Sequence, residues 1–197
     1  MACTSLTRGR NLDCNRISGG IKAVYFAVFD QITSITYDST AAPNQVREID
    51  DIDMGSNSIY RYILPIGTSS LTDTIVGSTE NGTLYYTPTI NIIYNKLSRA
   101  DQAEIKLLAA TKTVIFAELN ATLANGHNII TAMGMVNGMS LNAGTMDTGA
   151  AWGDRNGYSL TFDGMETQPF AMVKDYTTAP FDNLDSGAAI PIVSSDL

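Results

Sequence analysis

Residues 21–29 read IKAVYFAVF, an apolar, aromatic and β-branched run after a glycine pair, which is the pattern of a buried strand. Residues 32–37 (ITSITY) alternate as a second strand, with Asp30-Gln31 as the turn between them. Strand patterns recur at 58–66, 71–76, 83–94, 114–119, 128–135, 139–141 and 158–162. Pro88 lies inside the run 83–94 and predicts an edge position or a bulge, because proline has no N–H to give to a ladder. Asn-Gly dipeptides at 81–82, 125–126, 137–138 and 156–157 favour the positive φ angles of tight hairpins, so the expectation is a meander of antiparallel strands.

One helix is predicted over 99–111. Ser98 followed by Asp101 resembles a capping box, and Ala100, Ala103, Leu107, Ala110 and Thr111 fall on one face. The fold class is therefore mostly β, an antiparallel sandwich or barrel with one flanking helix laid across it. No repeat of 20–50 residues is present.

Around this domain, set at 21–167, lie two segments of different character. Residues 1–20 carry Arg8, Arg10 and Arg16 with little apolar periodicity and read as an arm. Residues 168–197 carry three prolines and many small residues, and read as an extended segment suited to contacting a neighbour but poor at making a core. Inside the domain, 38–58 is polar, with Pro43 and the acidic run Glu48, Asp50, Asp51 and Asp53, and reads as a long loop or an irregular hairpin.

Composition narrows the function. With 197 residues the chain is long enough for one sizeable core without a disulfide framework. Only 16% of residues are charged, while Thr, Ser and Asn number 22, 15 and 14, the usage of strands and turns rather than of a helical bundle. A net charge of −8 disfavours nonspecific adhesion to nucleic acid or to an anionic membrane, and no run is long enough to span one. The N-terminus has basic residues but no apolar stretch behind them, so no signal peptide is expected, and the sequons at Asn81 and Asn120 are expected to be accidental.

Candidate chemistry is sparse. Cys3, Cys14 and the single His127 cannot make a Cys/His zinc site, and the thiols are expected to be free, a disulfide being the minor reading. His127 follows Asn125-Gly126 and reads as an exposed turn residue with no nucleophile nearby. Glu48, Asp50, Asp51 and Asp53 lack the spacing, glycine and closing glutamate of an EF-hand, so a solvated acidic loop is expected, with cation binding or pairing to a neighbour's basic arm as the other readings. The glycine-dense stretch 144–155 matches no phosphate loop and reads as a shaped loop. Trp152 with Asp154, Asp163 and Glu166 is the constellation a small hydrolase or sugar-binding module would use. No cofactor and no metal is expected.

Long strands rich in Ile, Tyr and Val are hazardous at an open edge unless a partner covers them. Residues 1–22 carry a net +3, whereas 144–197 hold eight acids and two bases, a segregation that suits head-to-tail association of identical copies. Contacts between copies are expected at Arg8, Arg10, Arg16, Glu48, Asp50, Asp51, Asp53, Trp152 and Asp154.

The segment Gly19-Gly-Ile-Lys-Ala-Val-Tyr-Phe26 after a short arm, the single central helix, and the closing Gly149-Ala-Ala-Trp-Gly-Asp-Arg-Asn-Gly-Tyr-Ser-Leu-Thr-Phe162 resemble structural proteins of tailed bacteriophages, and among them tail tube proteins. The resemblance spans roughly residues 15–170 in order, its motifs are loose, and none marks a catalytic site. It implies a non-enzymatic subunit made in the host cytoplasm and built into the virion tail. Six copies would form a ring whose inner sheets join into one β-barrel, with rings stacking and contacting other tail proteins. Viral DNA would pass through the bore without specific binding, and no membrane is involved. The chain is longer than a minimal subunit of this kind. Another virion component, capsid-associated or connector, is the alternative.

Overall fold

The computed structural model describes residues 10–11, 17–38 and 48–194. Along the chain they form β1 (Ile21–Val28), a turn of 3-10 helix (Phe29–Gln31), β2 (Ser34–Tyr37), β3 (Glu48–Asp53), β4 (Ile59–Ile63), β5 (Ser70–Ser78) and β6 (Thr83–Asn95). The helix α1 (Arg99–Ala110) follows, then β7 (Thr113–Thr122), β8 (Asn128–Met133), β9 (Ser140–Asp147), β10 (Gly157–Asp163), β11 (Ala171–Val173) and β12 (Ile192–Val193). The mostly-β sandwich with one helix is as the residue pattern predicts. Its strands make an eight-stranded sheet, β12-β4-β1-β7-β8-β11-β3-β2, and a four-stranded sheet, β5-β6-β10-β9.

The larger sheet is the middle layer, which explains why β1 and the first half of β7 have no polar side. Ala23, Tyr25 and Ala27 enter one core with Phe116, Ile49, Ile52, Phe181 and Leu184. Val24 and Phe26, on the opposite face, enter a second core with Ile90, Ile92, Tyr158, Leu160, Phe162 and Ile105. A strand covered on both faces reads as one apolar run. The smaller sheet and α1 close the second core, and residues from the C-terminal segment close the first.

The C-terminal segment is therefore not the poor core-former expected. Phe181 and Leu184 are fully buried, and Phe181 packs edge-on against Tyr25 and Phe116 with ring centroids 4.9 and 5.2 Å apart. β11 and β12 pair in parallel with β3 and β4, so the large sheet is mixed rather than purely antiparallel. Such pairing needs a long return of chain, which the many strands lying between β3 and β11 and between β4 and β12 supply.

Other expectations change as well. The acidic run is strand β3, antiparallel to β2, rather than a solvated loop, and residues 39–47 of the stretch 38–58 lie outside the described residues. Stretch 144–155 divides into the end of β9 and a loop at 148–156. Pro88 is no edge residue, since β6 is paired on both sides. Its missing N–H falls where the ladder to β10 ends at Asp163, beyond which Gly164 N–H donates to the Pro88 carbonyl at 3.2 Å.

Asn81-Gly82 and Asn125-Gly126 do close hairpins, with positive φ at both glycines. Asn137-Gly138 instead carries the chain from one sheet to the other. Gly157 is a strand residue required by close approach, as a Cβ there would lie 1.9 Å from the Tyr94 carbonyl oxygen.

The helix starts where predicted, with Ser98 Oγ accepting from Asp101 N–H at 3.0 Å. Its packed face is different. Ile105 is buried and Leu108 packs beside it, while Ala100, Ala103, Leu107 and Ala110 face outward. Large apolar side chains, not alanines, decide which face contributes most burial.

Candidate functional site

The four-stranded sheet carries the feature from which function can be argued. Its inward rows are apolar: Leu71, Ile90, Phe162 and Leu141 lie side by side, followed by Ile92 beside Leu160. Two of its outward rows are uncharged, Ser70 beside Asn91, Thr161 and Ala143, and Ile93 beside Ser159 and Thr145, while the rows flanking them carry Asp163 and Asp147. Thr161 Oγ1 donates to Asn91 Oδ1 at 2.7 Å, tying two strands across this face. None of the four strands contains Lys or Arg, and their acids are Asp73, Asp147 and Asp163.

Among the described residues neither outer strand of this sheet has a second strand partner, although α1 lies beside β9. β5, nine residues, and β9, eight residues, each pair on one side only and carry one acid apiece, with no proline. Such edges leave unpaired N–H and C=O groups on offer. The hairpin of β5 and β6 also overhangs the body. Ile75 and Leu84 lie on the side that faces the core lower down, yet are 67% and 61% exposed.

A second feature is the loop 148–156, which joins β9 to β10. Asp147 Oδ1 accepts from Gly149 N–H at 2.9 Å, and Asp154 Oδ2 accepts from Ala150 and Ala151 N–H at 2.9 and 2.7 Å. These bonds, that from Ala151 foremost, hold the Asp154 carboxyl below the usual aspartate value. Gly149 has φ +69°, and a Cβ there would lie 2.6 Å from Asp154 Cβ. The backbone is thus fixed, while Trp152 at its tip is fully exposed.

A groove of about 220 Å3 opens between α1 and the large sheet. Phe26, Tyr60, Tyr62, Leu107 and Leu108 line it, with Glu104 on its rim. Burial, then the nearby Glu104 and Asp101 charges, push the Tyr62 phenol up to about 12.

The expected contact residues are dispersed. Arg8 and Arg16 lie outside the described residues, as do Cys3 and Cys14, and Arg10 is exposed. Glu48, Asp50, Asp51 and Asp53 share β3, remote in the topology from Trp152 and Asp154. The chain's own tail engages two of them: Lys174 Nζ lies 3.0 Å from Asp50, and Asp51 accepts the Ser186 N–H. Asp53 Oδ1 accepts from Gly55 N–H at 2.9 Å. Three of the four acids thus have partners within the chain. No group of three or more His, Cys, Asp or Glu among the described residues could hold a metal ion.

Asp163 bonds Asn142, and Glu166 is buried and accepts from Val136 and Asn137 N–H at 3.1 and 2.9 Å, so both are committed to structure. His127 is half-buried rather than an exposed turn residue, stacked on Tyr176 at 4.3 Å with Nδ1 2.9 Å from Asp175.

The sequence reading missed one buried charged network. Glu118, 1% exposed, accepts from Lys22 Nζ at 2.6 Å and from Tyr25 Oη at 2.7 Å. Burial and then Glu118 push the Tyr25 phenol far above its ordinary value. Its only sequence signal is a Glu inside an otherwise apolar strand.

No family model matches this chain, and neither the curated proteins nor the solved structures contain a significant match.

Proposed function

We propose that this chain is a non-enzymatic subunit of a bacteriophage tail tube, joining copies of itself edge to edge into rings that stack around a bore. The observation that carries the reading is the four-stranded sheet, whose two long outer strands each lack a second strand partner and whose polar outer face has no cation.

The strand count favours ring closure. A fully antiparallel sheet of four strands has antiparallel outer strands, so rotation about an axis along the strands sets β9 of one copy antiparallel to β5 of the next. The same alternation then runs unbroken around the ring. Six copies at about 4.8 Å per strand and a tilt of about 40° give a barrel on the order of 5 nm across at the backbone. Closure removes every edge.

The outer face would line that bore. Ser, Thr and Asn side chains without Lys or Arg offer phosphates no counter-charge, and the net −8 of each copy adds repulsion. A nucleic acid can slide along such a wall without sticking.

Negative-stain imaging of the purified protein tests the reading. Rings or filaments with a bore of a few nanometres are expected. A protein that stays monomeric at high concentration overturns it.

A further inference from the structure

We propose that Trp152 of one copy docks into the groove between α1 and β4 of a second copy, making the contact that stacks one ring on the next. The inference rests on the self-assembly reading above and names the partner surface within it.

The two halves fit in size and chemistry. A dry apolar cavity of about 150 Å3 admits benzene, so a groove of about 220 Å3 lined by Phe26, Tyr60, Tyr62, Leu107 and Leu108 has room for an indole. Tyr60 and Leu107 are 43% and 59% exposed in the single copy and so have apolar surface left to cover. The charges match too, since Arg155 lies three residues from Trp152 and Glu104 lies at the rim of the groove. Tryptophan and arginine beside a ready-made pocket are the residue types that dominate interface energies.

Position favours stacking over ring closure. The Trp152 loop is fastened beside the start of α1, where Lys96 N–H donates to the Asn156 carbonyl at 2.6 Å and Tyr158 Oη donates to the Ser98 carbonyl at 3.2 Å. The groove lies along the second half of α1, toward Thr113, which bridges Met139 next to the opposite end of β9. Loop and groove therefore sit at opposite ends of the strands, and a contact between them joins copies head to tail along the strand direction. The loop's internal bonds pre-organise it, so little conformational freedom is lost on docking.

Trp152 is the only tryptophan in the chain, so its fluorescence reports the contact directly. Assembly of the full chain is followed by sedimentation while emission wavelength and quenching by acrylamide are recorded. A shift to shorter wavelength and loss of quenching as stacks form is the expected result. Trp152→Ala should leave single rings that do not stack. Glu104→Lys and Arg155→Glu should each raise the stacking concentration about tenfold, and the double reversal should restore it.

Stacks in which Trp152 stays as quenchable as in the monomer overturn the proposal, as does unaltered stacking of Trp152→Ala. Protection of Trp152 that ignores both charge reversals places the indole elsewhere and overturns it too. Rings without this signature leave edge-to-edge assembly standing, whereas a chain that never assembles removes both readings.

Discussion

The two sheets of this molecule treat their margins in opposite ways. The eight-stranded sheet ends in β12, two residues, and β2, four residues, and its central strands β1 and β7 are covered on both faces by the chain itself. The four-stranded sheet ends in strands of nine and eight residues and has one bare face. Short terminal strands are a common protection against unwanted pairing. Short terminal strands protect the large sheet and are lacking on the small one, where only α1 lies beside β9, and the proposed joining of copies depends on that difference.

The sharpest way to break this contrast is to damage the core of the large sheet. Phe181→Ala removes a fully buried ring from between Tyr25 and Phe116 and should cost about 3–5 kcal/mol in a denaturant titration of the dilute monomer. A loss under about 1 kcal/mol would mean that the C-terminal segment is not part of the core.

Next in size, Tyr25→Phe leaves buried Glu118 short of a donor and should cost about 1–3 kcal/mol near neutral pH. The sign with pH follows from the raised Tyr25 value. The neutral phenol is favoured in the fold, so its contribution is full below the ordinary value of 10 and fades as pH rises above it. Alkaline unfolding should steepen from about pH 10 in the parent chain and be shallower in Tyr25→Phe, as read by circular dichroism.

Charging the unpaired margin should do the reverse. Thr145→Lys on exposed β9 should alter monomer stability by no more than about 0.5 kcal/mol while abolishing rings in electron micrographs. Rings that persist would show that β9 is not an interface. Least of all, Asp50→Asn removes a half-exposed pair with Lys174 and should change stability by about 0–1 kcal/mol and leave assembly intact, measured by the same titration and imaging.

The difference between the two sheets was partly legible in the residues. The doubly buried strand at 21–28 and the cap at Ser98 follow from local pattern alone. β3 does not, because Ile49 and Ile52 are three apart, which matches neither strand alternation nor a helix of that length. A register shift opposite Thr36 and Tyr37 supplies the extra residue that lets both isoleucines be buried. Phe181, Leu184 and Ile190 follow no period because they fill gaps in a core built by distant strands, a non-local fit invisible to a window of sequence. Trp152 stands out in the sequence as a candidate for a sugar-binding site or a contact between copies, and its full exposure at a loop tip is a tertiary property that no local pattern shows. Which strands lie at a margin is a property of pairing, so the unpaired edges of β5 and β9 could not be read from either strand by itself.

Amide hydrogen exchange at low and high protein concentration tests the central claim most directly. In the dilute monomer β5 and β9 should exchange rapidly at alternate residues, and on assembly both should slow together while β1 and β7 stay protected throughout. Assembled particles in which β5 and β9 exchange as fast as in the monomer would contradict the account.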